Sequence, residues 1–140
     1  MEGKYEGPER REATRFDCKI PVEYNLINDV RSVELSRKRA GIICNISSHG
    51  LHLEIPELND SWTDGLYSGM IKLGLVINLP GEKQPLRAVA KVVWLTKSLR
   101  ESDSGTIGCI LGLEFLDITT TDRDRITNYI LNSYLSEQNK

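Results

Sequence analysis

Two short patterns in this 140-residue chain set residues able to do chemistry at fixed spacing: Arg11-Glu-Ala-Thr-Arg15, with Arg10 directly before it, and Asn45-Ile-Ser-Ser-His-Gly50. A guanidinium is planar, permanently charged and carries a fork of donors. It can meet a pair of acceptor oxygens or a phosphate with parallel hydrogen bonds, and its face can stack on a ring. Asn45 and Ser47 offer an amide and a hydroxyl, and Gly50 a position free to take positive φ. Taken singly, each pattern has a plainer reading. Arginines in a charged tail are ordinarily solvated surface, and an Asn/Ser turn can spend its side chains on its own backbone. Their order and combination are what single them out.

Other chemistries lack their residues. An enzyme needs a nucleophile beside a base, opposed carboxylates or a ligand cluster, and none is evident, so no catalytic residue is expected. His49 and His52 are the only histidines and have no third ligand nearby in sequence, so no metal is expected. Cys18, Cys44 and Cys109 are far apart and form no C-x-x-C, which reads as reduced thiols that pack. Neither G-x-x-x-x-G-K-[ST] nor G-x-G-x-x-G occurs, and no cofactor is implied. A net charge of −2 gives no global field for nucleic acid or an anionic membrane, so any anion site must be local. Aromatic residues at 6% are too few for a stacking groove of the kind that binds single strands. No apolar run nears the ~18 residues of a membrane span, and MEGKYEGPERRE is unlike a secretory signal, so the expected location is the cytoplasm.

The elements that must position these residues follow from periodicity. At 39% apolar composition the chain closes one core. Residues 1–15 are polar without periodicity and read as a flexible arm. From Phe16, Ile20, Val22 and Tyr24 alternate with Lys19 and Glu23 as in a half-buried strand. Residues 25–39 read as a connection or ragged extension, and 40–46 as a second strand of open register. After the turn at 45–50, Leu51, Leu53 and Ile55 alternate until Pro56. Residues 57–69 read as a long loop, and 70–79, 86–95 and 109–115 as three more strands. Six strands with no helix between them make an antiparallel sheet curled on itself. The period then changes: Thr120 or Thr121 caps a helix with Asp122 and Asp124 in its first turn, and Ile126, Tyr129, Ile130 and Tyr134 recur at helical spacing, with Leu131 and Leu135 widening the stripe.

With these elements in place the chain resembles the PilZ family, whose mark is an R-x-x-x-R arm followed by [DN]-x-S-x-x-G on a six-stranded barrel. The two motifs match at Arg11/Arg15 and at Asn45/Ser47/Gly50. The likeness continues through Ile20-Pro21-Val22, Gly50-Leu51-His52-Leu53, Val89-Ala90-Lys91-Val92-Val93-Trp94 and Leu111-Gly112-Leu113-Glu114-Phe115, covering residues 9–135. It implies an all-β fold with a C-terminal helix, a six-stranded antiparallel split barrel over 16–137 behind the arm. It also implies a ligand, cyclic di-GMP, held by Arg10, Arg11, Arg15, Asn45, Ser47 and Gly50. The residue types suit that ligand: guanidinium groups meet guanine O6 and N7 in parallel, stack under its ring and offset two phosphates. A cation at Arg10 suits a stacked pair of dinucleotides, so two ligands per protomer are expected. Binding would draw the arm across the barrel and signal to a protein partner in motility, secretion, polysaccharide production or transcription. The alternative is a PilZ-like adaptor that binds protein and no nucleotide. The final helix leaves monomer and homodimer both open, and the connections 26–38 and 57–69, longer than a minimal domain needs, have no assigned role.

Overall fold

The computed structural model describes residues 15–28, 36–56, 58, 60–101 and 107–138. Arg10 and Arg11, and the expected arm up to residue 14, lie outside them. Strands β1 (Phe16–Asn28), β2 (Arg39–Ile46), β3 (Gly50–Ile55), β4 (Ile71–Ile77), β5 (Leu86–Glu101) and β6 (Ile107–Asp117) pair antiparallel in the ring β1-β2-β3-β6-β5-β4. β1 closes the ring by pairing with β4, Val22 opposite Ile77 and Leu26 opposite Leu73. Closure gives each strand a partner on both sides, although β1 pairs with β4 only from Val22 on and has β2 alone beside residues 16–21.

The core is the inward half of each alternation. Ile20, Val22, Tyr24 and Leu26 from β1 meet Leu51, Leu53 and Ile55 from β3, and Leu73, Leu75 and Ile77 from β4, all buried. Truncating any of the leucines or isoleucines among these to alanine removes packing that the closed interior cannot refill, at a typical cost of about 2–5 kcal/mol. The β4–β5 connection turns at Pro80-Gly81, where Gly81 has φ 82° and Glu82 N–H donates to Leu79 O at 3.1 Å. Pro presets the second position of such a turn and glycine supplies the third.

Of the two readings of 25–39, strand extension holds for 25–28, which continue β1 because Leu26 keeps the inward alternation and is buried. Three expectations change. Residues 57–69 are not all loop. Asp60–Trp62 form a 3-10 turn and Thr63–Ser68 a short helix, α1, so one helix does stand between the strands. α1 sends Leu66 into the core and stops at Gly69 (φ 84°), whose N–H reaches Leu66 O at 3.3 Å. The C-terminal helix, α2 (Thr120–Gln138), is capped one residue earlier than expected: the Thr119 hydroxyl accepts the Asp122 N–H at 3.0 Å. Its buried stripe is Ile126 and Ile130 with Tyr129 half-buried, while Leu131 and Leu135 are exposed and do not widen it.

Candidate functional site

Register assembles the site. Asp17 pairs with Asn45, Asn45 with His52, His52 with Gly112 and Gly112 with Trp94, a single row crossing β1, β2, β3, β6 and β5. Flanking residues Leu51, Leu53, Leu111 and Leu113 are buried, so the row faces outward. Register shifts border it at Asp17/Ile20, Ile43/Asn45 and Val92/Trp94. A bulge turns a strand locally and re-aims its side chains. Here three of them converge on one face.

Arg15 stands just before β1, at one end of this row. Its Nη1 donates to Asn45 Oδ1 at 3.2 Å and lies 3.0 Å from His52 Nε2, residues 30 and 37 positions away. Asn45 passes the chain on, donating Nδ2 to Asp17 Oδ1 at 3.1 Å. The two sequence motifs thus meet through side chains, with the guanidinium aimed across β2 and β3. α2 braces both. Tyr134 Oη donates to Arg15 O at 2.8 Å, and the Phe16 ring packs edge-on against Tyr129 and Tyr134, centroids 5.8 and 5.1 Å apart. At its other end Arg123 Nη1 donates to Ser48 O at 2.6 Å, holding the β2–β3 turn.

Inside that turn, Ser47 is 3% exposed. Its hydroxyl accepts the N–H groups of His49 and Gly50 at 3.1 and 3.2 Å and donates to Gly50 O at 3.3 Å. Ser47 is thereby the turn's internal acceptor, the local use that small hydroxyl residues favour. Gly50 is also there for a reason other than the one expected. Among the described glycines positive φ occurs at Gly69 and Gly81, not Gly50. A Cβ on Gly50 would fall 2.0 Å from Leu113 O, so glycine is required by the close approach of β3 and β6.

Beside Arg15 the row opens into a cavity of about 210 Å³ lined by Arg15, His52, Gly50, Trp94 and Glu114, among others. Trp94 lies over Gly112: a Cβ there would sit 2.2 Å from the indole Nε1. The His52 ring meets the indole edge-on, centroids 4.9 Å apart. Sequence reasoning missed His52 and Trp94 as site residues. The available signal for His52 was its outward phase between Leu51 and Leu53; Trp94 is in phase with the buried Ala88, Ala90 and Val92, and only the register shift at Val92/Trp94 turns it outward.

The described residues hold no group of three or more histidine, cysteine or acidic side chains able to bind a metal. All three cysteines are free. Burial, then Cys44, then Asp17 push the Cys18 thiol up to about 11, and burial first also raises Cys44. Both favour the neutral thiol. No described helix is long and apolar enough to cross a membrane.

The PilZ domain family model matches residues 9–132. The fold is similar to that of the Bacillus subtilis inhibitor of motility MotI/DgrA, with 19% identity and a TM-score of 0.64 over 91% of this chain and 52% of that one. It is also similar to the PilZ domain of YcgR from Escherichia coli, determined with c-di-GMP: 9% identity, TM-score 0.61, 93% of this chain and 95% of that one. A third likeness is to PlzA of Borreliella burgdorferi in complex with c-di-GMP, with 16% identity and a TM-score of 0.55 over 96% and 55% of the two chains. The chain therefore spans about half the length of MotI/DgrA and of PlzA. No curated protein matches it in sequence.

Proposed function

Because the chain belongs to the PilZ domain family, we propose that it is a receptor for cyclic di-GMP that signals through a protein partner and catalyses no reaction. One observation carries the reading: Arg15, from the first motif, is held on the outer face of the barrel by Asn45 of the second, beside a cavity with an aromatic wall. A cavity of about 210 Å³ is smaller than the ~300 Å³ and above typical of pockets that enclose a whole ligand. It suits one planar base, the rest of the dinucleotide lying over the row. Arg15 then donates to guanine O6 and N7 or to a phosphate, and Trp94 offers its ring for stacking. Asn45 acts first as the acceptor that aims Arg15, and its own contact with the base forms as Arg15 turns to the ligand. Ser47 and Gly50 hold the turn that presents Asn45.

Arg10 and Arg11 complete the site from the preceding segment, and their charges offset the phosphates in an otherwise acidic protein. Two stacked dinucleotides per protomer would use all three arginines. Binding draws that segment over the row, and the altered surface is the signal to the partner. The cytoplasm is where such a receptor would work, as a monomer or homodimer.

Isothermal titration calorimetry of cyclic di-GMP, with GTP as control, tests the reading. Wild type should bind the dinucleotide and not GTP, and an Arg11→Ala/Arg15→Ala variant should lose binding. Absence of heat from folded wild type would overturn the receptor reading in favour of a nucleotide-independent adaptor.

A further inference from the structure

Glu114 places a carboxylate on the wall of a cavity whose other functional groups suit an anionic ligand. It projects from β6 opposite Gly50 on one side and Lys91 on the other, and Lys91 Nζ lies 3.2 Å from its Oε1. Its side chain is 53% exposed, so the ion pair is a loose surface contact and leaves the carboxylate open to the cavity. Beside a phosphate such a group is repulsive. Beside a base edge made of donors it is complementary, because a carboxylate accepts at both oxygens and donates at neither.

The neighbouring acceptors have partners within the protein: His49 O takes the Phe115 N–H at 2.9 Å, Gly50 O takes the Ser47 N–H and hydroxyl, and Asn45 Oδ1 takes Arg15 until the guanidinium turns to the ligand. Among the described residues, Glu114 is the one acidic residue of the cavity lining. Guanine presents two kinds of edge: acceptors O6 and N7 on one side, and the N1–H and 2-amino donors on the other. The cavity offers the counterpart of each, a guanidinium at Arg15 and a carboxylate at Glu114, with the Trp94 indole between strands β3 and β5 as a ring surface. Adenine inverts the pattern. It places an acceptor, N1, where the carboxylate stands, and an amine where Arg15 donates. A misplaced charge of this sort discriminates by rejecting the wrong ligand as well as by favouring the right one.

We propose that Glu114 is the guanine-selecting residue of this site, accepting N1–H and the 2-amino group of one base of the ligand. The proposal rests on the cyclic di-GMP reading and extends it to which base edge is read, and by what. The probes are cyclic di-GMP, its inosine analogue cyclic di-IMP, which differs by loss of the 2-amino group, and cyclic di-AMP. Each is titrated calorimetrically into wild type, Glu114→Gln and Glu114→Ala.

Wild type should bind cyclic di-GMP about tenfold or more tightly than cyclic di-IMP, the size of one hydrogen bond to a charged acceptor, and cyclic di-AMP more weakly still. Glu114→Ala should narrow the first ratio to within about twofold, with Glu114→Gln, which keeps one acceptor oxygen, between them. Freeing Lys91 adds the same positive charge toward every dinucleotide, so the ratio is insulated from that side effect. An unchanged ratio in Glu114→Ala would overturn the role of Glu114 while leaving the receptor standing. Folded wild type that binds none of the three dinucleotides would overturn both.

Discussion

Arg15 Nη1 contacts both Asn45 Oδ1 and His52 Nε2 within the protein, and the guanidinium carries its other donors in the same planar fork, the geometry that a paired acceptor edge requires. Lysine keeps the charge and loses the fork. Arg15→Lys is therefore expected to weaken cyclic di-GMP binding by about five- to 150-fold, the loss of one bidentate contact, with an unchanged melting temperature. Calorimetry and a thermal melt on the same sample check both halves. An affinity within twofold of wild type would mean that Arg15 acts as a point charge. A few positions along β1, Cys18 donates to Ile43 O at 3.6 Å and has its thiol pushed up to about 11 from an ordinary 9.0. The thiolate is the nucleophile, so at pH 8 Cys18 should alkylate about 100-fold more slowly than an unhindered thiol. The sign for stability follows from the same shift. Folding favours the protonated form, so this contribution is full below about pH 9 and is lost as pH rises through about 11. Mass-spectrometric alkylation rates against pH would show the midpoint, and a midpoint near 9 would refute the burial argument.

Glycines settle how strands approach one another around the site. At Gly112 the obstacle to a side chain is the indole of Trp94, whereas at Gly50 it is the backbone of β6. Gly112→Ala should therefore fold, displace Trp94 from its seat and weaken the ligand, readable as a red-shifted Trp emission. Gly50→Ala should disturb β3–β6 pairing and lower stability by more, since a carbonyl cannot swing aside. Ser47→Ala removes the acceptor shared by two N–H groups and should cost about 1–3 kcal/mol in a denaturant titration. Much of this architecture was legible in the sequence. Ile71, Leu73, Leu75 and Ile77 keep strict alternation, and so do Cys109, Leu111, Leu113 and Phe115, because each strand faces the core with one side only. α1 was not legible: six residues containing a glycine have no helical period to detect, and Leu66 is inward because the barrel end needs filling. The site was half legible. Arg15, Asn45, Ser47 and Gly50 carry a linear motif, but His52, Trp94 and Glu114 join them through cross-strand register shifted by bulges, which local sequence does not encode.

A closed barrel whose strands all share one core is expected to melt as one unit, which turns ligand binding into a shift of the whole transition. A ligand that binds only the folded chain stabilises it by RT ln(1 + [L]/Kd) for each site. Well above Kd, each tenfold rise in ligand adds about 1.4 kcal/mol per bound molecule. For a domain of this length that is about 5 °C per decade for one ligand and about 10 °C for two. The slope therefore counts ligands without requiring knowledge of the affinity. If Arg10 covers a second stacked dinucleotide, as proposed, wild type should show the steeper slope and Arg10→Ala the shallower one, with the first ligand held by Arg11 and Arg15. Melting curves across two decades of cyclic di-GMP check this. A wild-type slope equal to that of Arg10→Ala would limit the site to one dinucleotide. Arg10 would then be a solvated neighbour of the motif, and the charge of the first ligand would be balanced by Arg11 and Arg15 alone.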